Sequence, residues 1–196
     1  MNSLFTRSII LLALCWWSGM ALAQDSHTFS ASFFNNAVAL PGGSFTAPFH
    51  PGVDIGWVYA VRKGNRWDQL LTTRLGYYHQ RIVHHGIQLY SEYTWRFHAA
   101  EGLSMDGGAG LGYLHTLEQH EIFTLQSDGT YRRTGRAGKP HAMISAMLGI
   151  NLAPPEWAIK PFLQYRFRVM TPFVKSYVPF FPATSLHLGA TFPLTF

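Results

Sequence analysis

Between Ile87 and Phe97 the chain alternates with a period of two. Ile87, Leu89, Ser91, Tyr93, Trp95 and Phe97 fall on one side, and Gln88, Tyr90, Glu92, Thr94 and Arg96 on the other. A helix repeats every 3.6 residues and cannot separate such a run into two faces, whereas a strand does so automatically. The segment is therefore a strand with one face in an apolar medium and one face carrying charge.

The same order recurs along the chain and marks eight segments. The first covers about 27 to 34, with Phe29, Ala31 and Phe33 against Thr28, Ser30 and Ser32. The second, about 52 to 61, sets Val53, Ile55, Trp57, Tyr59 and Val61 against Asp54, Gly56 and Ala60, and Lys63-Gly64-Asn65 supplies a turn. The third, about 67 to 79, opposes Leu71, Thr73, Leu75 and Tyr77 to Thr72, Arg74 and Gly76. A connection around His84-His85-Gly86 leads to the run from Ile87, and the fifth segment, about 103 to 117, places Asp106, Gly108, Gly110 and Gly112 on its polar side. Glycines there fit a narrow interior where backbone and large side chains approach closely. Residues 118 to 140 read as a polar, turn-rich connection. The sixth segment, about 141 to 152, ends at Pro154-Pro155, and the seventh, about 159 to 169, sets Leu163, Tyr165, Phe167 and Val169 against Lys160, Gln164, Arg166 and Arg168. The eighth runs to the last residue, Phe196.

Composition narrows what such strands can build. Charged residues are 13% of the 196 and hydrophobic ones 47%, far from the balance of a cytosolic enzyme. Beyond residue 23, charged or polar residues interrupt every apolar stretch well short of the roughly 18 residues that a membrane helix requires. A closed barrel is the other structure that satisfies every backbone group in lipid. The fold expected is all-β: a single closed antiparallel up-and-down transmembrane β-barrel of eight strands, over residues 24–196. Links after segments two, four and six read as short, and those after one, three, five and seven as longer, the one after three only modestly so, which is how periplasmic turns and extracellular loops alternate in an even-stranded barrel.

Residues 1 to 23 carry Arg7, an apolar run from Ile9 to Trp17 and the triplet Ala21-Leu22-Ala23, the order of a cleaved secretory signal. Cys15, the one cysteine, lies inside it, so the mature chain is expected to have neither a disulfide nor a thiol nucleophile. The net charge of +5 comes from scattered Lys and Arg, with no basic stripe for nucleic acid.

The eight strands and the terminal Phe196 make the chain resemble small outer-membrane barrels of the OmpA transmembrane-domain and OmpX type. That resemblance implies an outer-membrane location, contact with outer-membrane lipid and lipopolysaccharide, and a monomer. It also implies that Leu188, Ala190, Phe192, Leu194 and Phe196 form the C-terminal signal read by the barrel-assembly machinery, although Leu194 stands where an aromatic is often found.

Three constellations bear on function. Asp54, Arg74, Glu92, Arg96, Asp106, Arg166 and Arg168 share the polar side and, in a lipid-embedded barrel, face the lumen. Buried charges need partners, so Glu92 is expected to pair with Arg74 or Arg96, and Asp106 with Arg166 or Arg168. The role expected for this network is structural, with a narrow pore as the alternative. His50, His79, His84, His85, His115, His120 and His141 map to the loop side, with Glu118 and Glu121 nearby in sequence, but no spacing matches a metal motif such as H-E-x-x-H, and no metal or cofactor is assigned. Aromatic residues suggest two interfacial girdles: Trp67, Trp95 and Trp157 at one rim, and Phe33, Phe34, Tyr77, Tyr78, Tyr113, Phe180 and Phe181 at the other.

Lipid A deacylases and palmitoyltransferases share the scaffold the resemblance implies, and the deacylases carry His and Ser two apart on one strand with a Glu nearby. This chain has no H-x-S triplet; Ser91 with Glu92, and Ser145 near His141, are its nearest fragments. The sequence thus points to a non-enzymatic integral outer-membrane protein with a structural or surface-interaction role. The alternatives are a lipid A-modifying enzyme or narrow pore, and a soluble periplasmic lipocalin-like barrel, which would put its apolar residues inside.

Overall fold

The computed structural model describes residues 28–38, 40–41, 49–80, 84–118, 122–125, 129–134, 138–172 and 180–193. The signal-like segment 1–23, His120, Glu121, Leu194 and Phe196 lie outside them. Ten strands are described: β1 (Thr28–Ala37), β2 (Pro51–Arg62), β3 (Trp67–Gln80), β4 (His84–Ala100), β5 (Leu103–Glu118), β6 (Ile122–Leu125), β7 (Tyr131–Thr134), β8 (Lys139–Leu152), β9 (Lys160–Thr171) and β10 (Phe181–Pro193). Eight of them close a barrel in the order β1-β10-β9-β8-β5-β4-β3-β2. All its pairings are antiparallel, and β1 completes the ring against β10 from Thr28↔Pro193 to Ala37↔Thr184. Closure leaves no unpaired edge.

The period of two becomes the division between inside and outside. Val53, Ile55, Leu75, Leu89, Leu111, Ile144, Leu148, Leu163 and Leu188 are exposed on the outer wall, while Asp54, Arg74, Glu92, Asp106, Arg166 and Arg168 are buried within. That is the inverse of a lipocalin, which would line its interior with the apolar set.

β1 starts and β10 ends at one rim, here the near rim. The strand ends that flank 63–66, 101–102 and 153–159 lie there, and those that flank 38–50, 81–83, 119–138 and 172–180 lie at the far rim. The far rim departs from the sequence reading in two places. The link after β3 is three residues, as short as a near-rim turn, because β3 continues to Gln80 and β4 already begins at His84. The span 118–140, read as a connection without strands, contains the β6–β7 hairpin, paired from Ile122↔Thr134 to Leu125↔Tyr131. Asp128-Gly129 between two short β-prone runs is the signal for it, and Gly129 adopts φ 80°, which suits glycine.

Gly110 shows how tightly the wall meets its contents. A Cβ placed there would sit 2.7 Å from Glu92 Cγ and 2.8 Å from Ser145 Oγ, besides striking the Ser91 carbonyl oxygen. Gly107, on the outer face, would meet only Leu148 Cδ2 at 3.7 Å. Gly110→Ala is therefore expected to destabilise the barrel by about 1–3 kcal/mol through overpacking. Gly107→Ala is expected to leave stability unchanged or raise it by up to about 1 kcal/mol. Urea unfolding of the two variants in detergent micelles checks the contrast.

Candidate functional site

Alternation on β2, β3, β4 and β9 carries Asp54, Arg74, Glu92 and Arg166 to one level in the middle of the lumen. Arg166 is fully buried and grips Glu92 with Nη2 at 3.0 Å from Oε2 and Nε at 3.1 Å from Oε1. Arg74 places Nη1 3.0 Å from Asp54 Oδ1 and Nε 3.5 Å from Glu92 Oε2. Arg166 Nη1 stands 3.7 Å from Asp54 Oδ2, which closes a ring of alternating charge. Neutral donors add to the carboxylates: Tyr90 Oη donates to Asp54 Oδ2 at 2.8 Å, Ser32 Oγ to Asp54 Oδ1 at 2.7 Å and Ser145 Oγ to Glu92 Oε1 at 3.2 Å, while Arg74 Nε and Arg166 Nη1 meet their carboxylates by charge alone. Such satisfaction is what makes buried charge tolerable.

Two further charge clusters flank this ring. Toward the near rim Arg96 forms a fork on Asp106, with Nε to Oδ1 at 2.8 Å and Nη2 to Oδ2 at 2.9 Å. Toward the far rim Arg168 donates to Gln88 Oε1 and Asn36 Oδ1, and lies over the rings of Phe34 and Tyr78 at 5.6 and 5.8 Å. Among the described residues it has no carboxylate partner.

The pairing therefore differs in part from the sequence expectation. Glu92 does meet Arg74, but its fork partner is Arg166; Asp106 meets Arg96 and neither Arg166 nor Arg168. Arg96 and Asp106 are directly opposed on neighbouring strands, so the pair forms across one ladder step. Arg166 instead reaches across the lumen to a strand three places away, a contact that spacing in sequence cannot encode.

Above the ring the lumen is filled by apolar groups. Phe34, Tyr78, Leu114, Met170 and Ala183 pack together, with Phe181 against them. Phe34 and Tyr78 thus point inward and are not members of an interfacial girdle, because the residues they follow, Phe33 and Tyr77, occupy the outward phase of β1 and β3. Below the ring a vestibule of about 310 Å³ opens toward the near rim, lined by Lys63, Lys160, Asp68, Arg74, Arg96 and Asn151 among others.

His187 is a lumen residue that the loop-side histidine set missed. Its Nε2 lies 2.9 Å from Ser185 Oγ, and its Nδ1 lies 3.1 Å from Ser32 Oγ and 3.6 Å from Asp54 Oδ2. The signal for it was its place on the polar side of the last segment. A serine, a histidine and an aspartate thus stand in relay order, but all three are buried and the vestibule lining does not include Ser185 or His187. The fragments singled out in sequence fare no better as a relay. Ser91 faces outward and bonds Thr73 at 3.0 Å, while Glu92 faces the lumen. Ser145 is committed to Glu92, and His141 to Thr116 at 2.9 Å and the Pro172 carbonyl at 2.7 Å.

The described loop-side histidines cluster at the far rim in separate small groups. His84 meets Tyr78 at 3.1 Å, His50 the Asn36 carbonyl at 3.1 Å, His115 Tyr113 at 2.8 Å, and His79 meets His85. Among the described residues no three His, Cys, Asp or Glu side chains converge on a metal position.

No family profile matches the chain, and no curated protein does. Solved structures match the fold. Neisserial surface protein A superposes with a TM-score of 0.57 at 12% identity over 85% of this chain and 95% of that one. The outer membrane enzyme PagL gives 0.50 at 12% identity over 85% and 99%. The architecture is that of the small eight-stranded outer-membrane barrels.

Arg166→Met would strand Glu92 without its fork partner and weaken the hold on Asp54. It is expected to cost about 3–5 kcal/mol, and adding Glu92→Gln to remove the orphaned charge should recover much of that loss. Chemical denaturation of the single and double variants in detergent measures both.

Proposed function

We propose that this chain is an integral outer-membrane protein, exported through a cleaved signal at residues 1–23, that acts as a sealed barrel presenting its far-rim connections to the cell exterior. The observation that carries this reading is the pairing of an apolar outer wall with a lumen that holds the buried charges, most of them paired with one another. Leu111 and Leu148 are each 68% exposed at mid-strand, where a soluble barrel would place polar groups. Trp67, Trp95 and Trp157 near one rim, and Phe33, Tyr77, Tyr113 and Phe180 near the other, suit the headgroup levels of a bilayer. The outward run Leu188, Ala190 and Phe192 on β10 fits an assembly signal that continues through Leu194 and Phe196.

The central ion ring and the apolar layer above it favour a plugged barrel over a narrow pore. Lipid A, lipopolysaccharide and surface partners meet the outer wall and the far rim in this reading, the assembly machinery acts during biogenesis, and the barrel is a monomer. A catalytic role has no reachable relay among the described residues to support it, and PagL contributes a likeness of fold only.

The test is location and conductance together. The protein is expected to fractionate with outer membranes, to migrate on detergent gels at two positions depending on heating, and to give no unitary current steps in planar bilayers. Recovery in the soluble periplasmic fraction would overturn the membrane assignment, and clear single-channel steps would overturn the seal.

A further inference from the structure

We propose that His79 and His85 form a binding site for one divalent transition-metal ion of borderline softness, such as zinc, nickel or copper. The two residues are direct partners in the β3–β4 register, on the strand ends flanking the 81–83 link. Both are on the outward phase at the far rim, half-buried, so they remain reachable from water. Their Nδ1 atoms face one another at 3.3 Å, with ring centroids 4.7 Å apart and planes at 35°.

That separation is what a metal asks for. Imidazole nitrogens bind zinc at about 2.0–2.1 Å, and two tetrahedral positions at that radius lie about 3.3 Å apart. The spacing of the two nitrogens is therefore in place, the strand ladder holds both residues, and a small ring rotation is what turns the two lone pairs onto one ion. The His85 Nδ1 also meets Tyr77 Oη at 2.6 Å, so it is approached by two polar groups at once. A bound cation displaces these two hydrogen bonds and takes both nitrogens as ligands, leaving the Tyr77 hydroxyl to water. Imidazole donors select zinc, nickel and copper over calcium and magnesium, which prefer oxygen. Since no third His, Cys, Asp or Glu side chain joins them among the described residues, water completes the coordination. The pair is built by the β3–β4 register alone, so the site does not depend on the membrane assignment above.

The test uses the full chain extracted in detergent and stripped with EDTA. Calorimetric titration with zinc chloride is expected to show one equivalent bound, and titration with calcium or magnesium no heat. His79→Ala and His85→Ala should each weaken binding by at least the roughly tenfold that loss of a mere supporting partner costs a metal site. His115→Ala should leave it unchanged. In the unsubstituted protein, copper(II) should give an electron paramagnetic resonance spectrum with nitrogen splitting from two imidazoles. No heat with zinc, zinc binding that survives both histidine substitutions, or a copper spectrum of oxygen ligands alone would each overturn the proposal.

Discussion

An eight-stranded sheet that closes on itself leaves a lumen about as wide as two facing layers of side chains, with little room for bulk water. Every charge that the strand alternation sends inward must then find a partner across that space, an opposite charge or a set of polar and aromatic groups. Asp54, Arg74, Glu92 and Arg166 meet this demand as one ring drawn from β2, β3, β4 and β9, with Ser32 of β1, Ser145 of β8 and His187 of β10 attached to it. The ring thereby ties together seven of the eight barrel strands. A slip of one strand by one residue would exchange its inner and outer faces and leave a carboxylate or guanidinium stranded. The ion ring therefore specifies register as well as filling the lumen.

The lumen is asymmetric about this ring. Toward the far rim, Arg168 lies over the rings of Phe34 and Tyr78, which pack with Leu114 and Met170; toward the near rim the space widens into the vestibule. Among the buried charges described, three arginines, at 74, 166 and 168, face three carboxylates, at 54, 92 and 106, and Asp106 is taken by the half-buried Arg96. That leaves Arg168 without a carboxylate among the described residues, held by amide oxygens and ring faces, where a guanidinium is better accommodated than an ammonium would be.

Much of this is legible in the sequence because alternation acts locally. Ile87 to Phe97 alone separates wall from lumen, and the inward position of Gly110 and Gly112 already implies bulky neighbours such as Tyr90 and Glu92. What stays hidden depends on the third dimension. Which arginine reaches Glu92 is set by how strands stagger around the barrel, so the Arg166 fork is invisible in one dimension while the Arg96–Asp106 ladder pair is nearly readable. Phe34 and Tyr78 looked like girdle residues because each sits beside an outward aromatic, and only strand phase separates them. The β6–β7 hairpin was masked by the polar residues around it, although Asp128-Gly129 marked its turn.

The outer wall is the other half of the same constraint. With its charges inside, the barrel offers mostly apolar groups at mid-height, the outward Ser91 and Thr73 bonding each other, and those groups need an apolar surrounding. Leu111, midway along β5 and opposite Ile144 and Ser91, samples that surrounding directly. The decisive measurement is the folding free energy of Leu111→Arg in lipid vesicles. A loss of about 2–4 kcal/mol, as expected for a charge at the bilayer midplane, agrees with the account. An arginine tolerated there without loss would mean that this face meets water.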